Sequence, residues 1–194
     1  MSDYKTIAPE QLTQNPFAMI GKDWMLITAE KDGKANTMTA SWGGFGVMWG
    51  KNVAYIVLRP QRYTKEFVDQ AETFSLSFLD DSFRAALNYL GSKSGRDEDK
   101  IAKAKLTLAH DGSTPYFAEA KTVVLCKKMY AQAYQPECFV AQETDAAWYP
   151  KKDYHTLYIA EITNILRREK NTFPPPFTGP PAGPNRRVNK CGFF

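Results

Sequence analysis

Short apolar runs separated by turn residues are the feature of this chain that most restricts its fold. Residues 24–29 (WMLITA) and 53–58 (VAYIVL) have the length of buried strands, and Phe74, Leu76 and Phe78 alternate with serines. An Asp-Gly pair after the first run suits a tight hairpin. Strands are predicted at residues 24–29, 35–41, 53–58, 74–78, 122–126 and 157–165. Because short turns join most of them, the sequence predicts a mainly β protein, an antiparallel barrel or sandwich with helices at its margins.

Three short helices are predicted between these strands. Thr64 is placed to cap a helix over residues 65–71. Ser82 and Gly91 are start and stop signals around apolar residues that share one helical face. Residues 97–105 carry acids first and lysines last, which complements the dipole of a helix.

The last segment of the chain differs from the rest in composition. Six of the 12 prolines fall between Pro174 and Pro184, in the run FPPPFTGPPAGP. Such a run cannot join a regular helix or a central strand. We therefore expect one folded domain over residues 1–170. Residues 171–194 are expected to be an appendage that is disordered, packs on a neighbour or has been added to the protein.

The net positive charge of the chain is concentrated in this appendage. Residues 171–194 carry three basic residues and no acid, which leaves 22 Lys and Arg against 21 Asp and Glu in residues 1–170. A nearly neutral body lacks the basic surface of a protein that binds nucleic acid.

Composition also argues against membranes and metals. No segment has the roughly 18–20 consecutive apolar residues that a membrane helix needs, and the first ten residues lack the apolar region of a signal peptide. Three cysteines without CxxC spacing, and only two histidines, predict neither a disulfide framework nor a metal site. We expect a cytoplasmic protein that binds no metal, membrane or nucleic acid.

Two polar segments are candidate ligand contacts. Residues 36–42 (NTMTASW) end a predicted strand with three hydroxyls and an amide, beside glycines that let a ligand approach the backbone. Arg59 and Arg62 precede a predicted helix start, where Thr64 and free N–H groups add donors, so this segment suits a phosphate group. The alternative is a polar strand end with solvated arginines. Neither a GxGxxG nor a Walker A loop occurs in the sequence.

Other chemically capable residues have structural interpretations. His110, beside an Asp-Gly pair, is interpreted as a turn residue, and Cys126 as a core thiol of an apolar strand. Trp49 and Trp148 are interpreted as core or dimer packing rather than as stacking platforms for bases.

The order of these motifs resembles the flavin reductase-like family with an FMN-binding split barrel, the group that includes flavoredoxin. The matching pieces are NPFAMIGKDWMLITA (15–29), NTMTASWGG (36–44), RPQRYT (59–64), SLSF (75–78), YLGSKSGRDEDK (89–100), CKKMY (126–130) and DYHTLYIAEI (153–162). They run in the expected order over residues 15–162, and the NTMTASW and RPQRYT pair at this spacing is specific.

The resemblance implies a homodimeric FMN-binding split β-barrel with FMN near the subunit interface. It implies phosphate contacts from Asn36, Thr37, Thr39, Ser41, Arg59, Arg62 and Thr64, and ring contacts from Met38, Ala40 and Trp42. Further cofactor-binding candidates are Pro60 and Tyr63 of RPQRYT and Ser92 and Lys93 of the loop at 91–96. His155 is the candidate catalytic residue, with a role in binding the hydride donor or the flavin.

The function that follows is an FMN-binding oxidoreductase that reduces flavin with NAD(P)H or passes electrons to a protein acceptor. FMN carries this chemistry, since its N5 atom accepts hydride, so no acid–base pair is required. One alternative is a non-enzymatic FMN electron carrier or flavin-binding module. A weaker alternative is a barrel that binds single-stranded nucleic acid, against which the neutral body argues.

Overall fold

A computed structural model describes residues 4–169, which are built around one antiparallel sheet. The strands are β1 (Tyr4–Ile7), β2 (Met25–Lys31), β3 (Lys34–Ala40), β4 (Gly43–Met48), β5 (Lys51–Leu58), β6 (Thr73–Phe78), β7 (Leu108–Asp111), β8 (Thr114–Phe117), β9 (Thr122–Ala133) and β10 (Thr156–Arg168). The main sheet has the order β3-β2-β6-β9-β10-β5-β4, with β1 paired to the second half of β10. β7 and β8 form a separate hairpin.

The two edge strands of the main sheet are neighbours in the sequence. Only Ser41 and Trp42 separate the end of β3 from the start of β4. Three Cα–Cα steps span at most about 11 Å, so the sheet must curl until its edges nearly meet at this corner. Two register shifts where β10 pairs with β9 are bulges of the kind that increase local bending. The predicted mainly β architecture is confirmed, as a barrel split between β3 and β4.

Alternation along the strands fills the inside of this curl. In β2, Met25, Ile27 and Ala29 belong to the central core, whereas Leu26 belongs to a cluster on the outer face. The central core takes further residues from β3, β5, β6, β9 and β10, including the fully buried Tyr158.

Short helices pack around the sheet. Within residues 4–169 they are α1 (Pro16–Ala18), α2 (Tyr63–Gln70), α3 (Arg84–Ser92), α4 (Lys100–Ala104) and α5 (Gln142–Trp148). α2 adds Phe67 and Val68 to the central core. α3 and α4 cover the outer face of β2, where Leu87 and Ala104 cluster with Leu26. α5 buries none of its residues.

α2 and α3 begin at residues other than those predicted. α2 begins at Tyr63, so Thr64 lies inside its first turn and its hydroxyl bonds another side chain instead of capping the helix. α3 begins only at Arg84, because a 3-10 turn takes up Ser82, and the helix runs through Gly91 instead of stopping there.

Three other elements also differ from the prediction. The helix predicted over residues 97–105 shortens to α4, because the Asp99 side chain accepts the Ala102 N–H at 3.1 Å and caps the helix there. The last strand is longer than residues 157–165, since its bulges let it pair with most of β9. β4 was not predicted, because its glycines lack strand propensity.

The predicted appendage at residues 171–194 lies outside the described residues, so the division of the chain at residue 170 stays a prediction. Within residues 4–169, no helix is long and apolar enough to cross a membrane.

Candidate functional site

A cationic cavity of about 270 Å³ lies where β5 ends and α2 begins, and we call it the anion pocket. Seven predicted residues line it: Met38, Arg59, Arg62, Tyr63, Thr64, Ser92 and Lys93. Gln61, Ser94 and Lys100 line it without having been predicted as site residues. Among the described residues around this cavity, four are cationic and none is acidic. This charge balance favours a bound anion.

Arg62 is held at the pocket by the end of α3. Its Nη1 donates to the carbonyl of Gly91 at 2.8 Å. Burial, followed by the charge of Arg59, lowers the pKa of Arg62, although a guanidinium remains protonated in proteins. A positive charge that water solvates poorly is therefore available to an anion in the pocket.

Arg59 connects the pocket to residues 148–153. Its Nη1 donates to Oδ2 of Asp153 at 2.7 Å, and its Nη2 donates to the carbonyl of Trp148 at 3.0 Å. The guanidinium also lies 5.1 Å from the ring centre of Tyr149. Arg59 thus fixes this segment as well as bordering the pocket, and Asp153 offsets part of its charge.

Asn36 orients Thr64 from behind the pocket. Its Nδ2 donates to Oγ1 of Thr64 at 2.9 Å, with both side chains buried. The Thr64 hydroxyl keeps its own proton for an acceptor in the pocket. Gly95 packs so closely on Asn36 that a Cβ there would lie 2.2 Å from Oδ1. Asn36 itself lines a neighbouring groove, not the pocket.

A second, narrower cavity adjoins the anion pocket, and we call it the aromatic cavity. The Trp42 ring in its wall is contacted edge-on by Trp148, with ring centres 4.9 Å apart, and by His155 at 5.1 Å. Met38, Arg59 and Arg62 line both cavities, so the two lie side by side. The predicted residues along the aromatic cavity are Met38, Thr39, Ala40, Ser41, Trp42, Arg59, Arg62 and His155.

Three predicted residues, Asn36, Thr37 and Pro60, line neither cavity, and Thr39 lines the aromatic cavity with its hydroxyl already hydrogen-bonded. Thr37 is fully buried, and its hydroxyl bonds to Thr28 Oγ1 at 2.9 Å and to a β2 carbonyl. Pro60 lines neither the anion pocket nor the aromatic cavity. Thr39 borders the aromatic cavity, but its hydroxyl donates to the Leu87 carbonyl at 2.5 Å.

His155 enters the aromatic cavity as a neutral side chain. It is 3% exposed, and its Nδ1 lies 2.8 Å from the hydroxyl of Tyr149. Burial, followed by the charge of Arg59, lowers the pKa of His155 to about 4. Burial raises the pKa of Tyr149 to about 12. At neutral pH both groups are uncharged, and the hydrogen bond between them fixes the imidazole.

Lys100 is a site residue that the sequence interpretation missed. Its side chain lines the anion pocket although only 4% of the residue is exposed. Its Nζ donates to the carbonyls of Leu90 and Lys93, each at 2.9 Å. Burial, followed by the charge of Arg62, lowers the pKa of Lys100 to about 8. The sequence held one signal: a lysine in the first turn of a helix, where the dipole disfavours a cation.

Residues 92–96 form the rim of the anion pocket between α3 and α4. Ser92 Oγ donates to the Tyr89 carbonyl at 3.0 Å. Arg96 lies over the ring of Tyr63, 4.6 Å from its centre. These contacts attach the rim to both α3 and α2.

The residues interpreted as structural mostly behave so. Cys126 is fully buried in the central core, and burial raises the pKa of its thiol, which confirms the core interpretation. His110 lies in β7 instead of the following turn and pairs with Glu30 at 2.7 Å. Trp148 packs against Trp42 beside the aromatic cavity.

A family model matches most of the chain. Residues 19–177 match the model described as the flavin reductase like domain. This span contains every residue that lines the two cavities. No curated protein matches the sequence significantly.

Solved structures share the fold at low sequence identity. The FMN-binding domain of a flavin reductases-like enzyme from Shewanella baltica OS155 is 17% identical, with a TM-score of 0.63 over 85% of this chain and 77% of that one. Flavoredoxin from Methanosarcina acetivorans is 18% identical, with a TM-score of 0.61 over 78% and 71%. The styrene monooxygenase flavin reductase from Pseudomonas putida S12 is 18% identical, with a TM-score of 0.56 over 76% and 80%.

Proposed function

The chain belongs to the flavin reductase like domain family, and on that basis we propose that it is an FMN-binding oxidoreductase reduced by NADH or NADPH. The observation that carries this proposal is the anion pocket, whose buried cations lie beside a cavity walled by Trp42 and His155. FMN has the two matching parts, a phosphate dianion and a flat aromatic ring.

The anion pocket suits the phosphate of FMN. Arg62, Lys93 and Lys100 supply positive charge, and Thr64 supplies a hydroxyl that Asn36 orients. α2 begins at the pocket, and a helix start offers unpaired N–H groups to an anion. Charge, hydroxyl and helix start together form a phosphate site of the kind that the sequence predicted for RPQRYT.

The ring end of FMN would lie against the mouth of the aromatic cavity, because the cavity itself is only about 20 Å³ and has room for little more than a water molecule. Met38 and Trp42, which the resemblance implies as ring contacts, line this cavity. His155 offers a hydrogen bond to the ring without adding charge. Arg59 bonds the carbonyl of Trp148, whose ring packs edge-on against Trp42, so Arg59 supports this wall of the cavity.

FMN supplies the redox chemistry when bound, since N5 of its ring accepts a hydride and the ring holds two electrons. The protein's residues bind the phosphate, orient the ring and exclude water. None of them has to move a proton, which fits His155 with a pKa of about 4.

Anaerobic spectrophotometry tests this function. Protein loaded with FMN should lose the visible absorbance of oxidised flavin when NADH or NADPH alone is added. Preferred use of one donor over the other would also identify the physiological nicotinamide. If no flavin absorbance stays with the protein after incubation with FMN and removal of the unbound flavin, the proposal is overturned.

An FMN electron carrier without a nicotinamide site is the second candidate. Flavoredoxin from Methanosarcina acetivorans has this fold with a TM-score of 0.61, beside 0.63 for the flavin reductases-like enzyme, so the fold admits a carrier as well as an enzyme. Loaded protein that bleaches with dithionite or a protein donor, but with neither nicotinamide, would establish the carrier.

We also propose that a second copy of the chain covers the hairpin formed by β4 and β5. Val47 and Trp49 on this hairpin are 74% and 60% exposed. Trp49 has a φ of 54°, in the left-handed region that bulky residues seldom adopt. A strained, exposed aromatic residue beside an edge strand fits a packing surface.

A further inference from the structure

Lys100 is buried, yet its ammonium has a hydrogen-bond donor that the described protein groups around it do not use. An ammonium has three donors, and two of those of Lys100 are used by the carbonyls of Leu90 and Lys93. The side chain is almost wholly buried, yet it forms part of the wall of the anion pocket. Among residues 4–169, those two carbonyls are the hydrogen-bond acceptors of its Nζ. The third donor is left for a ligand in the pocket.

We propose that Lys100 donates its third ammonium proton to the phosphate bound in the anion pocket. The inference rests on the proposed FMN binding and deepens it. In the same position, the amine joins the end of α3 to the rim at residues 92–96, so the residue that binds the phosphate also shapes the pocket.

Charged groups from four parts of the fold line the cavities around Lys100. In the two cavities that Lys100 lines, they are Arg59 and Arg62 from the turn between β5 and α2, Lys93 from the end of α3, Lys34 from β3, and Arg96, Asp97, Glu98 and Asp99 from the segment before α4. Arg62 lowers the pKa of Lys100, and Glu98 raises it to a smaller extent. Glu98 is itself paired with Lys103. The field on the pocket side is therefore positive, and a phosphate dianion would neutralise it.

This arrangement makes FMN affinity depend on pH. With the pocket empty, Lys100 loses its proton near pH 8, whereas a bound phosphate favours the protonated amine. Binding above pH 8 therefore takes up a proton, and FMN affinity should be about tenfold weaker at pH 9 than at pH 7. The phosphate does not contribute to this change, because its second pKa is about 6. Riboflavin lacks the phosphate and should show no comparable loss.

Equilibrium titrations followed by flavin fluorescence test the proposal, with FMN and riboflavin between pH 6.5 and 9.5. Lys100→Met should weaken FMN binding roughly 10–100-fold at pH 7 and abolish the fall in affinity above pH 8. Lys100→Gln removes the charge but keeps a donor for the rim carbonyls. It should therefore lose the same FMN affinity, and it replaces Lys100→Met in the test if the Met variant perturbs folding. Lys105→Met removes an exposed charge from the end of the same helix without touching Glu98, and should retain the affinity and pH profile of the unmodified protein.

The outcomes separate this proposal from the function on which it rests. If the Lys100 variants bind FMN as tightly as the unmodified protein, or keep its pH profile, Lys100 is not a phosphate ligand. Equal weakening of FMN and riboflavin at every pH would also overturn the proposal, since it would show a purely structural role. If the unmodified protein binds neither flavin, the proposed function itself fails.

Discussion

Removing Arg62 should weaken FMN binding without a matching effect on riboflavin. Arg62 lines the anion pocket, and its Gly91 contact leaves the guanidinium at the proposed phosphate position. A charge-assisted hydrogen bond contributes about 1.5–3 kcal/mol, and each 1.4 kcal/mol is about tenfold in affinity. Arg62→Ala should therefore raise the Kd for FMN roughly 10–100-fold. Arg62→Lys should rescue only part of this, since it keeps the charge but loses the planar fork.

Arg59→Ala is the informative comparison because the two arginines have different partners. Arg59 holds Asp153 and the Trp148 carbonyl, so its removal frees the segment that packs against Trp42 and leaves a carboxylate unpaired beside the pocket. FMN and riboflavin should then both weaken, with a further loss for FMN. Arg62→Ala does not free that segment, so it should leave riboflavin binding nearly unchanged.

The assay is a fluorescence titration of both flavins against the unmodified protein and the two variants, with melting temperatures to check folding. The decisive quantity is the ratio of the Kd for riboflavin to the Kd for FMN. If Arg62→Ala leaves this ratio unchanged, the phosphate does not bind at the anion pocket and the site assignment is wrong.

Four further outcomes are expected. Gly95→Ala should weaken FMN binding, because its Cβ would press on Asn36 at 2.2 Å and displace the rim; an unchanged Kd in titration would refute this. His155→Ala should lower turnover with the nicotinamide donor more than FMN affinity, and equal turnover would leave His155 a structural role. Trp49→Asn suits the left-handed φ better, so it should raise the melting temperature of the monomer while weakening the dimer in sedimentation analysis. Deleting residues 171–194 should leave the melting temperature and flavin binding nearly unchanged, and a large loss of either would make the segment structural.

The sequence predicts best what short-range patterns determine. Alternation and turn residues located most strands, and the RPQRYT segment located Arg62 and Thr64 at one cavity. Some predicted helix boundaries were wrong because a side chain competes locally with the helix. The acid-to-lysine pattern predicted a helix over residues 97–105, but the Asp99 side chain caps α4, so the helix begins only after it.

Long-range contacts explain the rest. The sequence did not predict that Arg59 would also pair with Asp153, because Asp153 lies 94 residues further along the chain. Thr37 belongs to the same motif as Asn36, but its hydroxyl is used by the neighbouring strand once β2 and β3 pair. Such contacts between distant segments decide which hydroxyl and guanidinium groups are left to face a ligand, and no single segment of the sequence contains that information.

The burial of Lys100 has a consequence for how the protein survives without its ligand. The pKa of this amine falls from 10.5 to about 8 on folding, so the unfolded chain binds the proton more strongly. Stability of the empty protein therefore rises as pH increases from 8 to 10.5, and below pH 8 the charge destabilises the fold by about 3 kcal/mol. A bound phosphate would relieve this, so FMN bound as proposed would also stabilise the folded protein. At neutral pH, molecules without FMN should unfold more readily than FMN-bound molecules and be cleaved faster by proteases. The amount of protein retained would therefore follow the supply of flavin.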